Sequence, residues 1–165
     1  MNVWSEKNHV VNVIIPDADF AATGVTSAVV NMENYNKCTF IVATGDTTVA
    51  NSTITVNAGI STGSCATTIA FKYRTQIAAD VPDAGSDVPS TLETATTAGF
   101  EMTASKPGGL YIIEVDAAVV AAAGTAYDHI SLTLTEDNST AQEGYVLAIL
   151  SEPRYAQDVL ATAID

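Results

Sequence analysis

Short runs of alternating apolar and polar residues dominate the chain. Residues 53–57 (Thr-Ile-Thr-Val-Asn) alternate strictly, and residues 67–74 and 129–135 follow the same rule. A period of two puts successive side chains on opposite faces of a strand, so each run predicts a half-buried strand. Within residues 67–74, Ile69, Phe71 and Tyr73 share one face, while Thr68, Lys72 and Arg74 share the other. Further strands are predicted over residues 10–15, 25–31, 37–43, 91–103 and 110–115. Residues 144–150 are almost continuously apolar, which predicts a central strand ended by Pro153. Thr, Val and Ile recur throughout, and their stiff χ1 suits a pleated surface better than a helix.

Turn chemistry separates these runs. Pro16-Asp17 ends the first, and residues 32–36 are too polar to extend the second. Thr44-Gly45-Asp46 closes the third, while Gly59 and Gly63 punctuate the segment after residues 53–57. Residues 79–90 hold Asp80, Pro82, Asp83, Gly85, Asp87 and Pro89 and predict a long exposed loop. Lys106-Pro107-Gly108-Gly109 predicts a turn. One stretch departs from strand chemistry. Asp116 can cap a short helix over the following alanines and valines, and Gly124 stands where it would stop. These elements predict an all-β fold: a two-sheet antiparallel sandwich, jelly-roll-like, with one short helix. The expected organisation is an N-terminal arm (1–9), a β-sandwich domain (10–153) and a C-terminal tail (154–165).

A length of 165 residues suits one such domain and can bury a core without staples. Charge narrows the partners. The chain has 19 acidic and 6 basic residues, a formal net charge of -13. Phosphate binding needs Lys and Arg to displace counterions, so no nucleic-acid partner is expected. An acidic body can still dock on a basic protein surface. The N-terminus lacks a charged leader followed by an apolar run, so no signal peptide is expected. No apolar run approaches the ~20 residues that span a bilayer, so no membrane partner is expected either.

Candidate chemistry is sparse. His9 and His129 are the only histidines, and neither has a neighbouring His or Cys at metal-ligand spacing. No Gly-x-Ser-x-Gly elbow is present, and no convergent His and carboxylate pair is evident. Catalysis is not expected. Asp80, Asp83 and Asp87, like Asp17 and Asp19, lack the Asp-x-Asp-x-Asp-Gly order of a calcium loop and read as solvated. No cofactor or metal is expected. Cys38 and Cys65 read as free thiols in or near the core; a single bridge between sheets would need their Cα atoms within about 7 Å. Asn51-Ser52-Thr53 and Asn138-Ser139-Thr140 match the glycosylation sequon but lack a secretion signal beside them. Trp4, Tyr155 and Leu160 are large side chains outside the strand pattern and are candidate interface residues.

Four stretches carry a resemblance. They are Tyr35-Asn36-Lys37-Cys38-Thr39-Phe40-Ile41-Val42, Phe71-Lys72-Tyr73-Arg74, Leu110-Tyr111-Ile112-Ile113-Glu114-Val115-Asp116 and the segment from Tyr145 to Tyr155. In this order they resemble capsid decoration, or cement, proteins of tailed bacteriophages. The resemblance spans residues 25–155 and carries no catalytic fingerprint. It implies a β-rich module that binds the outside of an icosahedral head, with the major capsid protein and further copies of itself as partners. It also implies homotrimers at three-fold positions or dimers at two-fold positions. The implied location is the capsid outer surface of a virion, after synthesis in the host cytoplasm. Low Lys content leaves little side-chain entropy to lose on docking. Two alternatives are a carbohydrate- or receptor-binding sandwich of a phage tail or fibre, and a small hydrolase on a β scaffold.

Overall fold

The computed structural model describes residues 3–21, 24–45, 52–76, 88–102, 108–136, 141–155, 160 and 162–164. A 3-10 turn (Trp4–Glu6) leads into β1 (His9–Asp17), followed by β2 (Val25–Thr26), β3 (Val30–Asn31) and β4 (Tyr35–Thr44). Next come β5 (Ser52–Gly59), β6 (Cys65–Ile69), β7 (Phe71–Gln76), β8 (Glu93–Ala95) and β9 (Phe100–Glu101). The chain then forms β10 (Leu110–Asp116), α1 (Ala117–Ala123), β11 (His129–Glu136) and β12 (Gly144–Pro153).

Two antiparallel sheets carry these strands. Sheet A runs β1-β12-β4-β10-β7-β8, and sheet B runs β2-β11-β5-β6, with β3 also on β11 and β9 also on β5. Take β2 and β3 as one interrupted strand, and set β7, β8 and β9 aside as an insertion. The other strands then run first-last-third-sixth in sheet A and second-seventh-fourth-fifth in sheet B. That is the double Greek-key order of a jelly roll, as the sequence predicts. Between the sheets, Phe40, Val42, Ile113 and Leu150 of sheet A form one core cluster with Ile54, Val56, Leu132 and Leu134 of sheet B. Each of these is 0% exposed. Burying each such side chain contributes roughly 1.5–3 kcal/mol, so this layer drives the collapse.

The structure differs from the alternation pattern in three places. Residues 25–31 are not one strand. Ser27 stands in the ladder with its side chain: its Oγ accepts from the Leu132 N–H at 3.0 Å. The chain kinks there, and the Ala28 N–H bonds instead to the Val13 carbonyl of β1 in the other sheet, at 3.0 Å. Residues 67–74 are not one strand either. They belong to β6 in sheet B and β7 in sheet A, and the chain changes sheets at Ala70. The alternation survives because Ile69 and Phe71, both 4% exposed, face the same core from opposite sides of the crossing. Residues 91–103 split into β8 and β9, again in different sheets. Gly99 makes that reversal, with φ +78° and its N–H on the Thr96 carbonyl. A Cβ there would lie 2.0 Å from the Ile54 carbonyl oxygen, so only glycine fits.

The helix forms where predicted, and Asp116 caps it by accepting from the Ala118 N–H at 2.8 Å. Gly124 works differently from the expectation. Its φ of -177° is extended, and its bare Cα lets the Tyr127 ring pack close: a Cβ would lie 2.7 Å from that ring, which would have to move.

Candidate functional site

Trp4, Tyr155 and Leu160 do not come together as one surface feature. Trp4 sits in the 3-10 turn, where its carbonyl accepts from the backbone of Lys7 and Asn8. Its side chain stays 58% exposed, and Tyr155 is 64% exposed. Leu160 packs on the chain's own core. Nearby, Ala163 is buried and its carbonyl accepts from the Asn31 N–H of β3 at 2.8 Å. The described part of the tail therefore folds back onto the sandwich, and of the three candidates only Trp4 and Tyr155 present large apolar area to solvent.

A broader feature lies on the outer face of sheet A. In β12, Val146, Ala148 and Leu150 point into the core, so Tyr145, Leu147 and Ile149 point outward. Leu147 stands in register with Ile41 of β4, and Ile41 with Ile112 of β10. Ile149 is in register with Val10 of the edge strand β1. Val10 is 45% exposed and Tyr145 37%, and none of these outward residues belongs to the core cluster or packs on it. The sequence carried this signal. An uninterrupted apolar run means that both faces of the strand are apolar, and reading residues 144–150 only as a central strand missed the second face.

Charged groups border this apolar field. Lys37 pairs with Glu152 at 2.8 Å, and that carboxylate raises the Lys37 pKa, with Asp116 and Glu114 adding to it. Lys72 stands opposite Glu114 in register. Arg74 turns aside, its Nη1 donating to the Ser90 carbonyl at 2.7 Å, which pins the approach to β8. Between these groups runs an open groove of about 630 Å³, with Lys37, Lys72, Glu114 and Glu152 around it and Leu92 and Val119 on its rim.

The other titratable side chains are bonded within the fold. His129 is buried and its Nδ1 bonds the carboxylate of the preceding Asp128. The sequence reading found no such pair, yet the two residues are adjacent in the chain. Cys65 lies near them, with its thiol donating to the carbonyls of Asn57 and His129. Burial raises the Cys65 pKa, and the bond from Ser131 only partly offsets it, so the thiol is held protonated rather than activated. Cys38 is fully buried, and both cysteines are free. His9 Nδ1 meets the Tyr35 hydroxyl at 3.1 Å. Among the described residues, no group of three or more His, Cys, Asp or Glu could hold a metal ion. Asp17 and Asp19 accept from the backbone N–H groups of Asp19 and Gln142. Asp80, Asp83, Asp87 and the 138–140 sequon lie outside the described residues. Ser52 of the other sequon is buried and bonded to Gln142. Among the described residues, no helix is long and apolar enough to cross a membrane.

No family model matches the chain, and no curated protein or solved structure matches it either.

Proposed function

We propose that this chain is a capsid decoration protein of a tailed bacteriophage, a non-catalytic module that binds the outside of the head and stabilises it. One observation carries the reading. The four stretches that resemble such proteins fall on β4, β7, β10 and β12, which are consecutive neighbours in sheet A in the order β12-β4-β10-β7. A resemblance scattered by chance along the chain would have no reason to assemble into one continuous surface. The jelly-roll order agrees with it, since this architecture recurs in capsid proteins. Exposed Trp4 and Tyr155 supply anchors of the type that dominate docking energetics.

The test is to mix the purified chain with undecorated heads of the phage that encodes it and to image them. Saturable binding at symmetry-related positions is the expected result. Trp4→Ala and Tyr155→Ala should weaken that binding with little change in the melting temperature of the isolated protein. Heads that stay bare at saturating concentration would overturn the proposal. A second reading is a glycan- or receptor-binding module, favoured by the groove of about 630 Å³ with its mixed Lys and Glu lining. Glycan-array binding that Lys72→Ala abolishes, with no binding to heads, would select it.

A further inference from the structure

We infer that the groove crossing sheet A is a site for a neutral, linear oligosaccharide. The inference rests on the glycan reading of that groove and deepens it by naming the class of ligand.

The floor of the groove is an ordered row. Thr39 of β4 stands in register with Glu114 of β10, Glu114 with Lys72 of β7, and Lys72 with Thr94 of β8. All four line the groove. They set a hydroxyl, a carboxylate, an ammonium and a second hydroxyl across four neighbouring strands. Strands lie about 4.8 Å apart, so the row is about 14 Å long. Lys37 and Asp116 stand two residues further along β4 and β10, about 7 Å to one side, with Ser151 beside Lys37 in register.

The two rows differ in what their side chains already hold. Lys37 is paired with Glu152, and Asp116 caps α1. Among the described residues, the side chains of Thr39, Glu114, Lys72 and Thr94 make no hydrogen bond or ion pair. Lys72 and Glu114 face each other across the strands, but an exposed pair of this kind is weak, so a ligand displaces it at little cost.

Donor and acceptor chemistry selects the ligand. Lys72 only donates, ionised Glu114 only accepts, and the threonine hydroxyls do both. Neighbouring positions of the row therefore ask for opposite roles. A hydroxyl group fills either role, so a chain of hydroxyls satisfies all four positions in turn. An anion suits Lys72 and is repelled by Glu114, and a cation meets the reverse. The charges of the row cancel, which leaves a neutral ligand favoured. Leu92 and Val119 on the rim, each 42% exposed, offer apolar surface to the C–H faces of sugar rings. The volume of about 630 Å³ lies within the roughly 300–1,000 Å³ of small-ligand sites.

Titration of the full chain, followed by NMR, tests this. The probes are linear tetrasaccharides: a neutral glucan and a neutral mannan, an anionic oligogalacturonate and a cationic chitosan tetramer. A neutral probe should cause saturable shifts at Thr39, Glu114, Lys72 and Thr94. It should bind at least tenfold more tightly than either charged probe and than its own monosaccharide. Thr94→Val keeps the side-chain shape and removes the hydroxyl, and Lys72→Met keeps the stem and removes the charge. Together they should weaken binding at least tenfold with no change in melting temperature. The shift map of the wild type covers the case of a misfolded variant. Tighter binding of a charged probe at these residues overturns the inference and leaves the glycan reading standing. Binding by none of the probes overturns both. Neutral binding that shifts other residues instead, or that the folded double variant retains in full, overturns the assignment to this row.

Discussion

On its outer side, sheet B shows Thr53, Thr55 and Asn57 from β5 and Thr133 and Thr135 from β11. These groups bond among themselves: Asn57 Nδ2 donates to Thr133 Oγ1 at 2.8 Å, and Thr133 Oγ1 shares a hydrogen bond with Thr26 at 3.0 Å. The equivalent positions in the middle of sheet A hold Leu147, Ile41 and Ile112. Inward, the two sheets are alike, and both close on the same core. Outward they obey different rules. Sheet B is finished by water and its own hydroxyls. Sheet A carries side chains whose burial would contribute about 25 cal/mol per Å² of apolar area and leaves part of that area open. The lesson is that strict alternation identifies a polar outer face, whereas a lapse in it identifies an outer face left partly apolar.

The sharpest way to break this contrast uses two neighbours on β4. Phe40 points inward and is 0% exposed, so Phe40→Ala should cost about 3–5 kcal/mol in chemical denaturation. Ile41 points outward, and Ile41→Thr should cost under about 1 kcal/mol in the dilute protein. Equal losses would mean that the outer row is packed within the single chain, and the contrast would collapse.

A somewhat smaller effect is expected at the seam between the sheets. Gly99→Ala forces a Cβ onto the Ile54 carbonyl at positive φ and should cost roughly 1–3 kcal/mol, read from the thermal midpoint. No change would show that the β8–β9 reversal can relax.

The thiols give a comparison across depth and pH. Burial holds the Cys38 thiol protonated far above its ordinary 9.0. Above that pH the unfolded thiol ionises and the folded one does not, so the unfolded chain binds fewer protons. The stability from this group is complete below about pH 9 and is lost as the pH rises further. Cys38→Ala should flatten the alkaline part of the stability profile. Thiol reagents should label Cys65, at the half-buried edge of sheet B, well before Cys38; labelling at equal rates would contradict the burial difference.

The smallest effect tests whether any apolar residue on any face is enough. Thr135→Ile, on the exposed outer side of β11, should change stability by less than about 0.5 kcal/mol and induce no self-association by sedimentation. If that one substitution makes the chain self-associate, a single apolar residue on either face is enough and the contrast between the sheets loses its meaning.

Much of the architecture could be read from periodicity because both sheets share one core. The runs at 53–57 and 129–135 became paired neighbours, with Thr55 opposite Thr133. The capping residue Asp116 could be read because an N-cap is a local interaction. What escaped was non-local. Ile69, Ala70 and Phe71 look like one strand because alternation reports burial and does not report which sheet supplies it. Ser27 replaces a backbone acceptor with its own hydroxyl, which no hydrophobic pattern encodes. The candidate surface escaped in part because solitary large residues such as Leu160 drew notice, whereas the outward set of β12 was absorbed into an apolar run. Leu160 lies against its own core, and the row through Leu147 is visible only once register places three strands side by side.

The position of β12 also has a consequence in time. This strand is the last of the sandwich in the chain, yet it lies between β1 and β4 in the interior of sheet A. Before residues 144–153 emerge from the ribosome, β1 has no partner in that sheet and β4 lacks one of its two neighbours. Sheet A therefore cannot close during synthesis, and its apolar strands wait on a final, long-range pairing of the kind that makes folding slow. A nascent chain of this design is at its most vulnerable just before β12 emerges. A truncation that removes only β12 should leave an insoluble product rather than a slightly weakened one.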